Sequence, residues 1–181
     1  SKTQVDLTIA PILSPAEQKT DAAGCFTACF SYPGLQALLN QNLLQVVETQ
    51  AAALTSTLNL GQHSGITAIL PNFITCQSHA FGVVRILDRL AGDRVLYIIV
   101  KDLADHGKNL NAMITTDLPL TYEDKVNVLI IECADMAHYR SILENSTGLP
   151  VVELCQAAVS LALAQDCLNL THKFGNEMHA G

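Results

Sequence analysis

Positive charge is scarce in this chain. Lys and Arg number 10 among 181 residues, no two of them adjacent, against 17 Asp and Glu, for a formal net charge of −7. A nucleic-acid or anionic-membrane surface needs clustered cations, so neither partner is expected. Long apolar runs are also lacking: the one before Cys133 has the length of a strand, not of a bilayer span. No basic start, apolar core and small-residue cleavage site marks a secretory signal. The histidines (His63, His79, His106, His138, His172 and His179) include no pair spaced to share a metal on one helix face. Glu132, Asp135 and His138 come nearest to a ligand cluster, but they read as structure, so no metal is expected. No glycine-rich phosphate loop is present; Gly34 and Gly61 read as turn residues.

What the chain has is apolar mass and thiols. Hydrophobic residues make up 49% and charged residues 15%, enough to bury the core of one domain or of two small lobes. The six cysteines lie in apolar segments rather than in a short, loop-rich scaffold. They therefore read as reduced thiols of a cytoplasmic protein, not as three disulfides.

Two of those cysteines head a repeated segment. From Cys29 the chain runs Cys-Phe-Ser-Tyr-Pro-Gly-Leu-Gln-Ala-Leu-Leu and reaches Val46-Val47-Glu48, followed by Gln50-Ala51-Ala52. From Cys133 it runs Cys-Ala-Asp-Met-Ala-His-Tyr-Arg-Ser-Ile-Leu and reaches Val151-Val152-Glu153, followed by Gln156-Ala157-Ala158. Such self-similarity marks a duplicated half-domain. A pseudo-twofold axis then sets equivalent atoms, here two thiols, face to face. Cys25, Cys76, Cys155 and Cys167 have no equivalent partner and read as packing residues.

Short apolar strands alternate with helical stretches. Strands are predicted over 5–11, 25–30, 43–47, 65–70, 95–100, 126–132 and 150–153. Helices are predicted over 15–23, through about 39 after Gly34, and over 50–60, 73–90, 134–144 and 156–170, while the polar stretch before 121 has no assignment. Unalternating apolar strands between helices indicate an α/β fold with mostly parallel sheets covered on both faces. The expected organisation is two pseudo-symmetric lobes, 1–62 and 63–154, about an active-site cleft, with 155–181 a C-terminal helix packing back on the first lobe. Ligands of such sheets bind at the carboxyl ends of the strands, where Cys29 and Cys133 fall.

A thiol at that position meets unpaired backbone N–H groups, which favour thiolate and can also hold a carbonyl oxygen as it gains charge. One thiolate can remove a proton alpha to the carbonyl while the opposite thiol delivers one to the other face. A lone cysteine at a strand end is more often structural, but two at equivalent points of a repeat favour function. Glu48 and Glu153, also equivalent, either line the hinge or cap the following helices.

At these residues the chain resembles a known family. Ala28-Cys29-Phe30-Ser31-Tyr32-Pro33-Gly34-Leu35 resembles the Ala-Cys-Phe-Gly-Asp-Pro-Gly-Leu motif of hydantoin and allantoin racemases, within the aspartate/glutamate racemase superfamily. Glu132-Cys133-Ala134-Asp135-Met136 resembles that family's Gly-Cys-Ala-Gly-Met. The 149–159 segment resembles its closing strand and helix, and Thr171-His172-Lys173 its Thr-Ser-Lys. The resemblance implies cofactor-independent isomerisation of a small molecule, assembly into homo-oligomers, and Cys29 and Cys133 as catalytic acid and base. It also implies that Pro11, Ser14, Phe30, Ser31, Thr67, Ala68, Ala134 and Asp135 line the substrate site. Departures are informative. Ala10 and Ile12 replace asparagines of the opening motif, and Thr67-Ala68-Ile69 replaces a Val-Thr-Thr. The segment between Pro11 and Cys29 is short, as if one strand–helix unit were missing. Glu132 and Asp135 replace glycines, and carboxylates beside a thiol oppose its ionisation. A relative with changed chemistry, or a non-catalytic binding protein on the same scaffold, are the alternatives.

Overall fold

The computed structural model describes residues 24–26, 28, 45–98, 102 and 106–170. Two parallel sheets organise them. The smaller pairs β1 (Gly24–Phe26) with β2 (Gln45–Val47). The larger contains β3 (Ser64–Ala68), β4 (Leu90–Val95), β5 (Val128–Ile131) and β6 (Val151–Glu153) in the order β4–β3–β5–β6, every pair parallel. Every residue of β3, β5 and β6 is buried. That is why β5 reads as an unbroken apolar run, while the polar residues of β3 and β6 (Ser64, Thr67 and Glu153) are buried with the rest.

Helices cover both faces of the larger sheet. On one face lie α1 (Thr49–Thr57), α2 (Asn72–Val83) and α5 (Leu154–Cys167); Ala52, Ala53, Leu54, Phe81, Leu154 and Ala158 form a core there with Ile66, Val128 and Ile130. On the other lie α3 (His106–Tyr122) and α4 (Arg140–Thr147), whose Met113, Leu120 and Leu143 pack with Leu129, Ile131 and Val151. Helix α1 thus contributes to the core of the four-stranded sheet, and α5 packs on both α1 and β2. The side chain of Gln45 on β2 also donates to Gln165 on α5 at 2.7 Å. Helix α4 ends at Gly148, whose φ of 72° is left-handed and whose N–H closes on the Glu144 carbonyl. Gly61 ends the turn after α1, where a Cβ would lie 2.1 Å from Asn127 Oδ1.

Chain order fixes a switch point. From the carboxyl end of β3 the chain leaves through α2 on one face to β4 on one side; from the carboxyl end of β5 it leaves through residues 134–139 and α4 on the other face to β6 on the opposite side. The connections therefore diverge at the carboxyl ends of β3 and β5, which is where open α/β sheets hold ligands.

Two segments differ from the sequence expectation. The helix expected to reach residue 90 stops at Val83. A short 3-10 turn (Leu87–Arg89) follows, and the next strand is Leu90–Val95 rather than 95–100. That strand lies at the sheet edge and carries Gly92, Asp93 and Arg94, so no apolar run announces it. Arg94 is held there by Asp124 at 2.9 Å and Glu123 at 2.8 Å. The unassigned polar stretch holds α3, 17 residues long with Pro119 inside it. Its buried stripe is Asn109, Met113, Asp117 and Leu120, so two of its four inward positions are polar and the helical periodicity is faint.

Candidate active site

The site builds outward from Cys133. This half-buried residue follows β5 by two positions, in extended conformation (φ −112°, ψ 127°), and a 3-10 helix (Ala134–Tyr139) begins immediately after it. Its carbonyl accepts from the Met136 N–H at 2.9 Å. Met136 and Tyr139 are buried beneath that turn and fix its position. Ala134 is half-buried and Asp135 exposed.

Glu132, one residue earlier, is only 5% exposed. The Ile69 N–H donates to Oε1 at 3.0 Å and Gln77 Nε2 donates to Oε2 at 2.6 Å. Burial raises its carboxyl to about 7 against the pull of those two hydrogen bonds. Thr67 on β3 donates its hydroxyl to the buried Asp117 of α3, whose carboxyl burial raises to about 6. Thr67's side chain is therefore committed to the interior, and Ala68 beside it is fully buried.

The repeat is asymmetric in detail. Glu153 caps α5, accepting from the N–H groups of Cys155 at 3.0 Å and Gln156 at 2.8 Å. Its equivalent Glu48 precedes α1 yet makes no side-chain cap, and burial raises its carboxyl. Cys155, read from sequence as packing, lies within electrostatic reach of Cys133. Its thiol is pushed up to about 12, first by burial, then by the charge of Glu153 and a hydrogen bond to it, and last by Cys133. The signal that could have found it is the β5–β6 register, Ile131 opposite Glu153, which carries the two strand ends side by side.

Among the described residues no three His, Cys, Asp or Glu side chains converge to hold a metal ion, and no helix is long and apolar enough to cross a membrane. Pro11, Ser14, Cys29, Phe30 and Ser31 lie outside the described residues.

A thiol at the switch point of a parallel sheet accompanies a sequence match to the family described as Asp/Glu/Hydantoin racemase, over residues 1–162. The chain belongs to the Asp/Glu/hydantoin racemase family. Membership makes it a racemase-type enzyme, an isomerase. No curated protein matches it. Among solved structures this family member is similar to an allantoin racemase from Pseudomonas fluorescens, with 22% identity over 93% of this chain and 73% of that one and a TM-score of 0.84. It is similar to an allantoin racemase from Klebsiella pneumoniae, with 21% identity, 93% and 70% coverage and a TM-score of 0.81. Arylmalonate decarboxylase shares the fold at 18% identity, 88% and 76% coverage and a TM-score of 0.64.

Proposed function

We propose that the protein is a cofactor-independent racemase acting at an acidic carbon alpha to a carbonyl in a hydantoin-like ring. Cys29 and Cys133 are its opposed base and acid. The observation that carries this reading is the placement of Cys133 at the carboxyl end of β5, beside the sheet's switch point, in a chain of the racemase family. One thiolate takes the alpha proton, and the electron pair delocalises onto the carbonyl, whose oxygen backbone N–H groups after the cysteines receive. The opposite thiol then protonates the other face. The two sulfurs finish with exchanged protonation states, and reversal restores them.

The substrate sits in a cleft between lobes 1–62 and 63–154, with 155–181 returning to the first lobe. The packing of α5 on β2 supports that return. Pro11, Ser14, Phe30 and Ser31 line one wall. Thr67, Ala68, Ala134 and Asp135 line the other, the first two through their backbone, since the Thr67 hydroxyl is engaged by Asp117. Free cysteines fit a cytoplasmic protein, and the family resemblance implies a homo-oligomer.

Ala10 and Ile12 stand where the family's opening motif carries asparagines, and a polar ring atom without a partner costs about 1–3 kcal/mol; Ala68 and Ile69, in place of threonines, are buried in the interior. The preferred substrate is therefore larger and less polar than allantoin. The test is alpha-proton exchange in deuterated water together with loss of optical rotation, on allantoin and on 5-benzylhydantoin. The reading expects both signals, faster on 5-benzylhydantoin. Faster turnover of allantoin removes the substrate preference; exchange on neither removes the racemase.

The similarity to arylmalonate decarboxylase favours one second reading. Loss of carbon dioxide leaves the same kind of carbanion, which a single cysteine can protonate. Carbon dioxide release from a phenylmalonate without racemisation of either hydantoin would select it.

A further inference from the structure

We propose that Glu132 is a positioning residue, a clamp that joins the two chain turns at the switch point and sets the distance between the strand ends on which Cys133 and Ala68 sit. The inference rests on the racemase reading for its functional consequence, and on hydrogen-bond geometry for the clamp itself.

The last ladder pair between β3 and β5 is Thr67 opposite Ile131. Beyond it the two chains part. One turns through Ile69, Leu70 and Pro71 into α2, and the other enters the 3-10 helix after Cys133. The Ile69 N–H is the first donor past the ladder, in a residue only 4% exposed, where a donor without a partner is costly. Glu132 supplies the partner with one carboxylate oxygen. Its other oxygen reaches Gln77, fully buried in the second turn of α2. Three elements, β5, the β3–α2 turn and α2, thus close on one side chain. Pro71 at the start of α2 provides no side-chain cap, and this carboxylate ties that end of the helix through Gln77 and the Ile69 N–H.

The clamp depends on reach more than on charge. Gln77 Oε1 is buried with no hydrogen-bond partner. A half-turn of the Gln77 amide presents that oxygen to a donor at position 132, whether a protonated carboxyl or an amide. The tie therefore survives loss of the charge. It does not survive loss of a methylene, which withdraws the head group from one partner or the other.

The experiment compares Glu132→Gln with Glu132→Asp, both mild enough to fold. Amide exchange at Ile69 is followed by NMR, and kcat and KM are measured on 5-benzylhydantoin. Glu132→Gln is expected to keep Ile69 protected and kcat/KM within about threefold of the parent. Glu132→Asp, although it keeps the charge, is expected to speed Ile69 exchange at least tenfold. It should also lower kcat/KM about 100-fold, mostly in kcat, as an ångström of misplacement does. Unchanged Ile69 exchange in Glu132→Asp overturns the clamp. So does a Glu132→Gln enzyme as impaired as Glu132→Asp, because charge would then be the operative property. Faster exchange with parental kinetics overturns the positioning role. A parent protein inactive on every hydantoin defeats the racemase reading instead, and the clamp then stands or falls on Ile69 exchange.

Discussion

Two buried carboxyls dominate the chemistry at the scale of the residue. Burial lifts Glu132 from 4.5 to about 7 and Asp117 from 3.8 to about 6. The folded protein therefore holds protons that the unfolded chain releases. The associated stability is complete below the ordinary carboxyl values and is lost as pH rises through about 6 and 7. For Glu132 the loss is on the order of 3 kcal/mol. The melting temperature is expected to fall between about pH 4 and pH 7 and to level off above that, and Glu132→Gln to remove the part of that slope lying between about pH 4.5 and pH 7. An unaltered slope in the variant would assign the titration elsewhere. Thiol reactivity follows the same environment. Iodoacetamide at neutral pH is expected to label Cys29 first, Cys133 more slowly beside its carboxylates, and Cys155 last, since a thiol raised to about 12 is almost wholly protonated there. Faster labelling of Cys133 than of Cys29 would exchange their roles as acid and base. The position of Cys133 was legible in sequence because the repeat marked it. The partners of Glu132 were not, since Ile69 and Gln77 lie 63 and 55 residues away and no local pattern links them.

Elements show why the duplication was visible while some of the fold between its halves was not. Strands β2 and β6 are short buried runs followed by Ala-rich helices α1 and α5, which pack on each other, so their sequences kept the same apolar code. Strand β4 and helix α3 instead carry polar residues held by tertiary partners: Arg94 by Asp124 and Glu123, Asp117 by Thr67, and Asn109 by the Asp102 carbonyl at 3.0 Å. Periodicity cannot register partners that only the fold brings near. The same ties give a stability test. Thr67→Val is expected to cost about 1–3 kcal/mol in urea unfolding because Asp117 loses its donor inside the core. Thr67→Val with Asp117→Leu should recover much of that. The two repeats also differ measurably. Glu153→Ala removes a helix cap and is expected to cost about 1 kcal/mol, whereas Glu48→Ala, with no cap to lose, should cost little. Equal costs would mean that both carboxylates cap in solution.

At the scale of the whole molecule, the described residues build a four-stranded parallel sheet, covered on both faces, whose switch point lies beside Cys133. Neither the alternation of strand and helix nor the cysteine motif alone would carry that statement. Together they do, because a doubly wound sheet leaves one crevice at its carboxyl ends and the motif puts a thiol there. Family membership then supplies the reaction class, and two-sided proton transfer is the central claim built on it. Its most direct measurement is the racemisation rate of Cys29→Ser and Cys133→Ser on 5-benzylhydantoin, with circular dichroism and melting temperature recorded alongside. Each substitution is expected to lower kcat/KM by about 10³-fold or more while the fold is retained, since each thiol serves one face of the carbon. A folded variant of either kind that racemises at the parental rate would contradict the two-cysteine mechanism.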